Sequence, residues 1–128
     1  MKRHYITPRP NWQETLERMG FGYHSVDGNY WQENAYYAFD AGQIDTLEKA
    51  TEELHAMYLQ ATAHVVKTGD YERLGLNDRQ ARLIERSFLN NEPCLYGRFD
   101  LSYDGVGAPK LLEYNADTPT SLFEASVA

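Results

Sequence analysis

Four polar side chains in the second half of the sequence have the types and spacing of a metal and phosphate site. Arg98 and Asp100 alternate with apolar residues in one run, and Glu113 and Asn115 do so in a second run shortly after it. A period of two places such residues on one face of a β-strand. Carboxylate and amide oxygens suit Mg²⁺, and the planar fork of an arginine suits a phosphate or a carboxylate. The pattern therefore predicts a divalent metal that holds a phosphate.

The two runs are expected to pair as an antiparallel hairpin, with strands at about residues 94–103 and 110–116. The segment 104–109 between them is rich in glycine and contains a proline, which is typical of a turn. In this hairpin Tyr103 should face Lys110 beside the turn.

The same register would place Asp100 opposite Glu113 and Arg98 opposite Asn115. Opposed carboxylates repel each other unless a cation lies between them, because their Cβ atoms are roughly 5 Å apart. A bound Mg²⁺ would supply that cation. The alternative is a solvated polar face on which Arg98 merely neutralises the carboxylates.

A short helix is predicted from about residue 119, because Asp117 and Thr118 offer a cap and Pro119 suits the first helical position. Backbone N–H groups at such a start favour anions. Thr120 and Ser121 add hydroxyls at this point. Capping explains one hydroxyl, that of Thr118, and the others suggest ligand contact.

Other segments predict helices at about 11–19, 46–67 and 78–89, so the expected fold class is α+β. Asp45 and Glu48 have the spacing of a capping box at the start of the long helix. Apolar residues recur at three- and four-residue steps on both longer helices and should face inward. On the long helix these residues are Leu47, Ala50, Leu54, Met57, Tyr58, Ala61 and Val65, and on the next they are Ala81, Leu83, Ile84 and Phe88.

Residues 21–40 are rich in aromatic side chains and receive no assigned element. Packing in a core or an interface is the simpler explanation of the cluster from Tyr30 to Phe39, and a ligand pocket is the alternative.

Composition limits the classes of function. The chain has 128 residues and a net charge of −7, with 19 acidic and 12 basic residues that form no basic cluster. This argues against nucleic acid as a partner. Cys94 is the only cysteine, so a disulfide framework is excluded and a reducing compartment is favoured. No stretch approaches the roughly 20 apolar residues of a membrane span, and we expect a cytoplasmic protein without membrane contact.

Two motifs closely resemble the glutathionylspermidine synthase family of ATP-grasp ligases: Tyr-Gly-Arg-Phe-Asp at 96–100 and Leu-Leu-Glu-Tyr-Asn-Ala-Asp-Thr-Pro-Thr-Ser at 111–121. Residues 29–37 and 47–55 also resemble the family, so the similarity covers most of the chain and is most specific from about 95 to 124. It implies that ATP phosphorylates a carboxylate, typically the glycine carboxylate of glutathione. The amine of a polyamine such as spermidine then attacks the acyl phosphate and forms an amide.

The resemblance also implies a role for each matching residue. Asp100, Glu113 and Asn115 would hold Mg²⁺. Arg98 would be the catalytic residue that contacts the transferring phosphoryl group, and it would bind ATP together with Asp100. Thr118 and Ser121 would border the site of the thiol-peptide substrate.

Family members continue beyond the matched motifs, and most of the residues that grip ATP lie in that later part. Residues 1–128 are therefore expected to form an N-terminal fragment of the synthetase domain that lacks the nucleotide clamp. Alone it should show no ligase activity and at most weak Mg-ATP binding, and the rest of its own fold would be a partner. A non-catalytic module for metal or polyamine binding and an interaction remnant are the alternatives.

Overall fold

The computed structural model describes residues 1–28, 30–117 and 119–126. In chain order the elements are β1 (Lys2–Tyr5), α1 (Trp12–Arg18), β2 (Ala35–Ala38), α2 (Ala41–Thr68), a 3₁₀ turn (Glu72–Leu74), α3 (Asp78–Leu89), β3 (Arg98–Ser102), β4 (Lys110–Asn115) and α4 (Leu122–Ser126). Helices are thus combined with small antiparallel sheets, and the predicted α+β class is confirmed. The chain divides into two compact units, one formed by residues up to 46 with those from 97 onward, and one by residues 47–96.

Strands β1 and β2 form an antiparallel ribbon in the first unit, with Lys2 opposite Ala38 and Tyr5 opposite Ala35. The sequence predicted neither strand, because each has only four residues and the pairing joins positions about 30 residues apart. The cross-strand contacts of the ribbon are aromatic. His4 stacks on Tyr36 with ring centroids 5.1 Å apart, and such pairs stabilise a two-stranded sheet.

The core of the first unit surrounds helix α1, which agrees with the helix predicted at 11–19. Leu16 of α1 is 1% exposed, and Phe21, three residues after the helix ends, is fully buried. Gly20, with φ 94°, allows the chain to turn between them. Buried His24 contacts Glu17 through Nε2 at 3.2 Å and Ser25 through Nδ1 at 2.7 Å.

Phe21 is the centre of an aromatic cluster in this unit, formed by Phe21, Tyr23, Tyr30, Trp31 and Phe123. The ring centroids of the other four lie 4.6–6.1 Å from that of Phe21. The packing explanation is therefore confirmed for Tyr30 and Trp31. Tyr36 and Tyr37 instead lie on strand β2.

Glu33 links the aromatic region to the segment after β1. Its carboxylate accepts bonds from Nε and Nη2 of Arg9 and from Nε1 of Trp31 at 2.7 Å. The bond from Arg9 lowers the pKa of the Glu33 carboxyl below its usual value, and the bond from Trp31 acts in the same direction. This group is a buried carboxylate that stays charged because donors surround it.

Helix α2 begins at Ala41, about one turn before the predicted start, so Asp45 is not its cap. Asp40 Oδ1 instead accepts from the backbone N–H of Gln43 at 2.9 Å, and Gln43 Oε1 accepts from the N–H of Asp40 at 3.1 Å. This reciprocal pair is a capping box. Asp45 and Glu48 therefore lie inside the helix.

Helix α3 spans the predicted residues 78–89 and begins with a capping box of Asn77 and Gln80. Among the described residues of this second unit, only Tyr71 is buried, and its hydroxyl donates to Glu85 Oε1 at 3.0 Å. Leu83 is 48% exposed and Met57 is 62% exposed, so their predicted inward orientation is wrong. Tyr58 and Ala61 are exposed as well. One short helix and a 3₁₀ turn are too little structure to cover the whole apolar stripe of a 28-residue helix.

Candidate functional site

The β3–β4 hairpin has the predicted register at its polar end. Arg98 lies opposite Asn115, and Asp100 lies opposite Glu113. One pair, Phe99 with Tyr114, lies between these two pairs. Because side chains alternate between the faces of a sheet, the four polar side chains lie on the same face. The strands are shorter than predicted, because residues 94–97 and residue 103 lie outside β3 and residue 116 lies outside β4.

The end of the hairpin near the turn differs from the prediction. Ser102, not Tyr103, lies opposite Lys110, because a bulge follows the Asp100–Glu113 pair. The extra residue is Leu112, which is 69% exposed. A bulge adds one residue to one strand and bends it locally. It therefore lets the polar end keep its register although the connection between the paired residues Ser102 and Lys110 is one residue longer than predicted.

Asp104 organises the turn. Its Oδ1 accepts backbone N–H groups of Gly107 at 2.8 Å and of Val106 at 2.9 Å. These two bonds lower the pKa of the Asp104 carboxyl, with the Gly107 bond as the larger cause. This side chain serves the turn, so it is not a free ligand for the site.

The opposite face of the hairpin is aromatic and closely packed. The rings of Phe99 and Tyr114 stack with centroids 3.9 Å apart and planes inclined by 13°. Gly97 lies beneath the same ring, because a Cβ atom at this position would come within 2.8 Å of Tyr114 Cε2. This packing fixes which face is polar, since a one-residue slip would exchange the two faces.

Arg98 is the centre of the polar face. Its Nε donates to Asp100 Oδ1 at 2.7 Å, and its Nη2 donates to Oδ2 at 3.3 Å. Its Nη1 donates to the hydroxyl of Thr120 at 2.8 Å. The two charged side chains remain 27% and 39% exposed. Arg98 therefore neutralises one of the two opposed carboxylates, as the solvated-face hypothesis expected.

Thr120 is a member of the site that the sequence indicated only weakly, as one of three hydroxyls near a helix start. Ser121 lies beside it with φ 75°, a left-handed conformation that non-glycine residues seldom adopt. Helix α4 begins at Leu122, three residues later than predicted, and has five residues. So short a helix cannot act as the predicted anion site, and Thr118 lies outside the described residues.

The hairpin offers hard oxygen donors that fit Mg²⁺. Asp100 and Glu113 lie opposite each other. Glu113 is exposed, and Asn115 lies two residues after it on the same face of β4. Asn115 Oδ1 also accepts from the N–H of Asp117 at 3.3 Å. Within residues 1–28, 30–117 and 119–126, no three His, Cys, Asp or Glu side chains group as a metal site. Two carboxylates and an amide suffice for Mg²⁺, which usually completes its shell with phosphate and water.

A groove of about 790 Å³ lies in the second unit, between α2 and α3, with His55, Leu59, Phe88 and Cys94 in its wall. None of the predicted site residues lines it. Of the helices in the described part of the chain, none combines the length and apolarity needed to cross a membrane.

The fold and the hairpin together define an α+β chain with a candidate site for a metal and a phosphate. The chain belongs to the glutathionylspermidine synthase preATP-grasp family, whose sequence model matches residues 3–128. It is 48% identical over 123 residues to a Haemophilus influenzae protein named "Putative acid--amine ligase". It is 32% identical over 111 residues to the glutathionylspermidine synthase of Crithidia fasciculata, and 38% identical over 96 residues to the bifunctional glutathionylspermidine synthetase/amidase of Escherichia coli.

The matched regions cover 93%, 83% and 72% of this chain, respectively. They cover 31% of the length of the first relative and 15% of each of the others. The chain is thus a member of a family of ligases and synthetases, and it corresponds to a minor part of their length.

Proposed function

We propose that this chain is the part of an ATP-dependent carboxylate–amine ligase that holds Mg²⁺ and orients the transferring phosphoryl group. The observation that carries the proposal is the register of the β3–β4 hairpin, which sets Asp100 opposite Glu113. Bringing two carboxylates together costs free energy unless a cation joins them. The register therefore supports a site that binds a cation between these two carboxylates.

The proposed reaction has two steps. An oxygen of the substrate carboxylate attacks the γ-phosphorus of ATP, the bond to the ADP oxygen breaks, and an acyl phosphate forms. The nitrogen of the amine then attacks the acyl carbon, the C–O bond to phosphate breaks, and the nitrogen loses a proton. The products are an amide, ADP and inorganic phosphate. Such chemistry depends mainly on positioning and on neutralising charge.

The four polar residues on one face of the hairpin would each have a role in this scheme. Asp100, Glu113 and Asn115 would hold the metal ion, which supplies positive charge to the phosphates when it is bound. Arg98 would donate hydrogen bonds to the transferring phosphoryl oxygens. Thr120 holds one arm of the Arg98 guanidinium at 2.8 Å, so the direction of the fork is already constrained.

Arg98 and Mg²⁺ compete for Asp100 in this proposal. The guanidinium donates to both oxygens of Asp100 in the structure. A metal ion on that carboxylate would replace these bonds and leave Nε and Nη2 for phosphate. Arg98 would thus serve as the resting cation of the site and become the phosphate ligand once the metal is bound.

The substrates proposed from the relatives are a glutathione-type acid and a polyamine-type amine. Ser121 is proposed to border the acid, and so is Thr118, which lies outside the described residues. The single cysteine, which cannot form a disulfide within the chain, suits a reducing cytoplasm. Mg-ATP binding to the isolated 128 residues is expected to be weak.

Calorimetric titration of the 128-residue chain with Mg²⁺, with and without ATP, tests the proposal. Asp100→Asn and Glu113→Gln should each weaken Mg²⁺ binding at least tenfold and leave the melting temperature nearly unchanged. Glu53→Gln on α2 removes the same charge from an exposed side chain and serves as the control. Equal Mg²⁺ affinity in all four proteins would refute a metal site on the hairpin.

A non-catalytic binding module remains the second candidate, because the Arg98–Asp100 pair already provides the hairpin with a cation. In a longer protein that contains this segment, ADP release that depends on both an acid and an amine would distinguish the ligase. Metal binding without such turnover would favour the module.

A further inference from the structure

Tyr30 makes a contact that neither the metal site nor the core requires. Its hydroxyl donates to Glu124 Oε1 at 2.6 Å, across 94 positions of the sequence. The side chain is about half exposed, yet its ring lies 6.1 Å from Phe21 and 6.0 Å from Tyr23, centroid to centroid. The phenol is therefore fixed at one end by the aromatic cluster and points its polar end at helix α4.

The neighbouring residue of α4 is held by the same cluster. Phe123 stacks on fully buried Phe21 with centroids 5.7 Å apart and planes inclined by 22°. One aromatic contact and one hydrogen bond thus bind two successive residues, 123 and 124. A five-residue helix is not stable by itself, because helix nucleation is unfavourable. Its order must come from these tertiary contacts.

The segment held by these contacts also includes Thr120, which binds Arg98. Thr120 lies three residues before Phe123, and its hydroxyl accepts from Arg98 Nη1 at 2.8 Å. Any movement of α4 would be transmitted to this bond, since only Ser121 and Leu122 separate the two contacts.

We propose that Tyr30 is a positioning residue, which seats residues 119–126 so that Thr120 fixes the Arg98 guanidinium for a carboxylate substrate and its phosphoryl group. The catalytic meaning of this role rests on the function proposed above. The mechanical part does not, because it concerns contacts among the residues of this chain only.

Nuclear magnetic resonance of the labelled 128-residue chain tests the mechanical part. Tyr30→Phe keeps the ring and removes the donor, and Glu124→Ala removes the acceptor. Both should lower the order parameters of residues 120–126 from about 0.85 to below about 0.6, with loss of the cross-peak between the Thr120 methyl group and the Arg98 side chain. Glu124→Gln should restore both signals, because an amide oxygen still accepts the phenolic bond.

Tyr23→Phe is the matched control, because it removes a hydroxyl from the same cluster without touching α4. It should leave the cross-peak and the order parameters unchanged. Ordered residues 120–126 with an intact cross-peak in Tyr30→Phe would overturn the proposal, and so would a mobile segment in the unmodified chain.

Mg²⁺ titration of the same proteins separates this inference from the proposed function. Affinity should agree within about twofold between Tyr30→Phe and the unmodified chain, because the metal ligands lie on the hairpin. If the unmodified chain binds no Mg²⁺ while Tyr30→Phe frees the segment, the ligase proposal fails and the positioning of Thr120 stands. If Mg²⁺ binds and the segment stays ordered without the Tyr30 hydroxyl, the positioning role fails alone.

Discussion

The two antiparallel ribbons of the first unit differ in how they treat charge. In β1–β2, Arg3 lies over the rings of Tyr5 and Tyr37, at 5.1 and 5.6 Å from their centroids, and the strands carry no opposed carboxylates. In β3–β4, Asp100 and Glu113 oppose each other, and Arg98 forms an ion pair with Asp100. The charge of Arg3 in the first ribbon is thus accommodated by aromatic rings of the same ribbon. The second places two carboxylates opposite each other, and this feature makes it a candidate site rather than a purely structural sheet.

Loss of either opposed carboxylate should have the largest effect. In a longer ligase that contains this segment, Asp100→Ala or Glu113→Ala should lower turnover by about 10²–10³-fold, because the metal loses a ligand where charge develops. Arg98→Ala should slow phosphoryl transfer more than it weakens ATP binding. Steady-state kinetics check this, with Arg3→Ala on the other ribbon as the control. A similar loss in Arg3→Ala would remove the distinction between the ribbons.

Packing on the aromatic face of β3–β4 gives the next effect. Gly97→Ala should lower the free energy of unfolding by about 1–3 kcal/mol, because the new Cβ displaces the Tyr114 ring from its stack on Phe99. Chemical denaturation measures this. Gly107→Ala in the turn is the control, since its nearest atom would be Asp104 Oδ1 at 3.6 Å, an ordinary contact. Equal free energies of unfolding for the two variants would mean that the Tyr114 ring can move away from the new Cβ without loss of stability.

The region joined to β1–β2 should lose stability in acid through Glu33. The folded pKa of this carboxyl is lowered, chiefly by the bond from Arg9, so its contribution is complete above the unfolded value of about 4.3. It is lost as the pH falls through the folded pKa. The difference in unfolding free energy between the unmodified chain and Glu33→Gln should shrink between pH 6 and pH 2. A constant difference would show that the charge of Glu33 is not what stabilises the fold.

The smallest effects are expected on stability and on Mg²⁺ affinity, from substitution of the two arginines Arg3 and Arg98. Arg3→Ala should cost about 0.5–1 kcal/mol of stability through loss of its cation–π contacts and leave Mg²⁺ binding unchanged. Arg98→Ala should raise Mg²⁺ affinity roughly two- to fivefold in the absence of nucleotide, because a partly exposed ion pair to Asp100 no longer competes. Weaker Mg²⁺ binding in Arg98→Ala would contradict the role of Arg98 as the resting cation.

Local signals predicted the parts of the molecule that local interactions decide. Helix α3 has the predicted bounds, because Asn77 and Gln80 cap it through bonds that span only three residues. The pairing of Asp100 with Glu113 was predicted correctly from the alternation of polar and apolar residues along two runs that a short connection joins. The bulge at Leu112 was not predicted, since it depends on the conformation of the connection after Ser102, which Asp104 organises.

The helix α2 start shows a limit of the same reasoning. Asp40 with Gln43 and Asp45 with Glu48 both have the spacing of a capping box, and the sequence-based prediction named only the second. The fold uses the first, with strand β2 ending at Ala38 just before it. Where two local signals compete, the elements on either side decide between them.

The sequence by itself determined the α+β class, the family, the hairpin and the shared face of Arg98, Asp100, Glu113 and Asn115, because each depends on residue types and short spacings. Only the tertiary structure decided which contacts these groups make. Three tertiary contacts join residues that are 22 to 94 positions apart. They are the pairing of β1 with β2, the bond from Arg98 to Thr120 and the hydrogen bond from Tyr30 to Glu124. No local pattern records such contacts, because the chain must pack before those side chains meet.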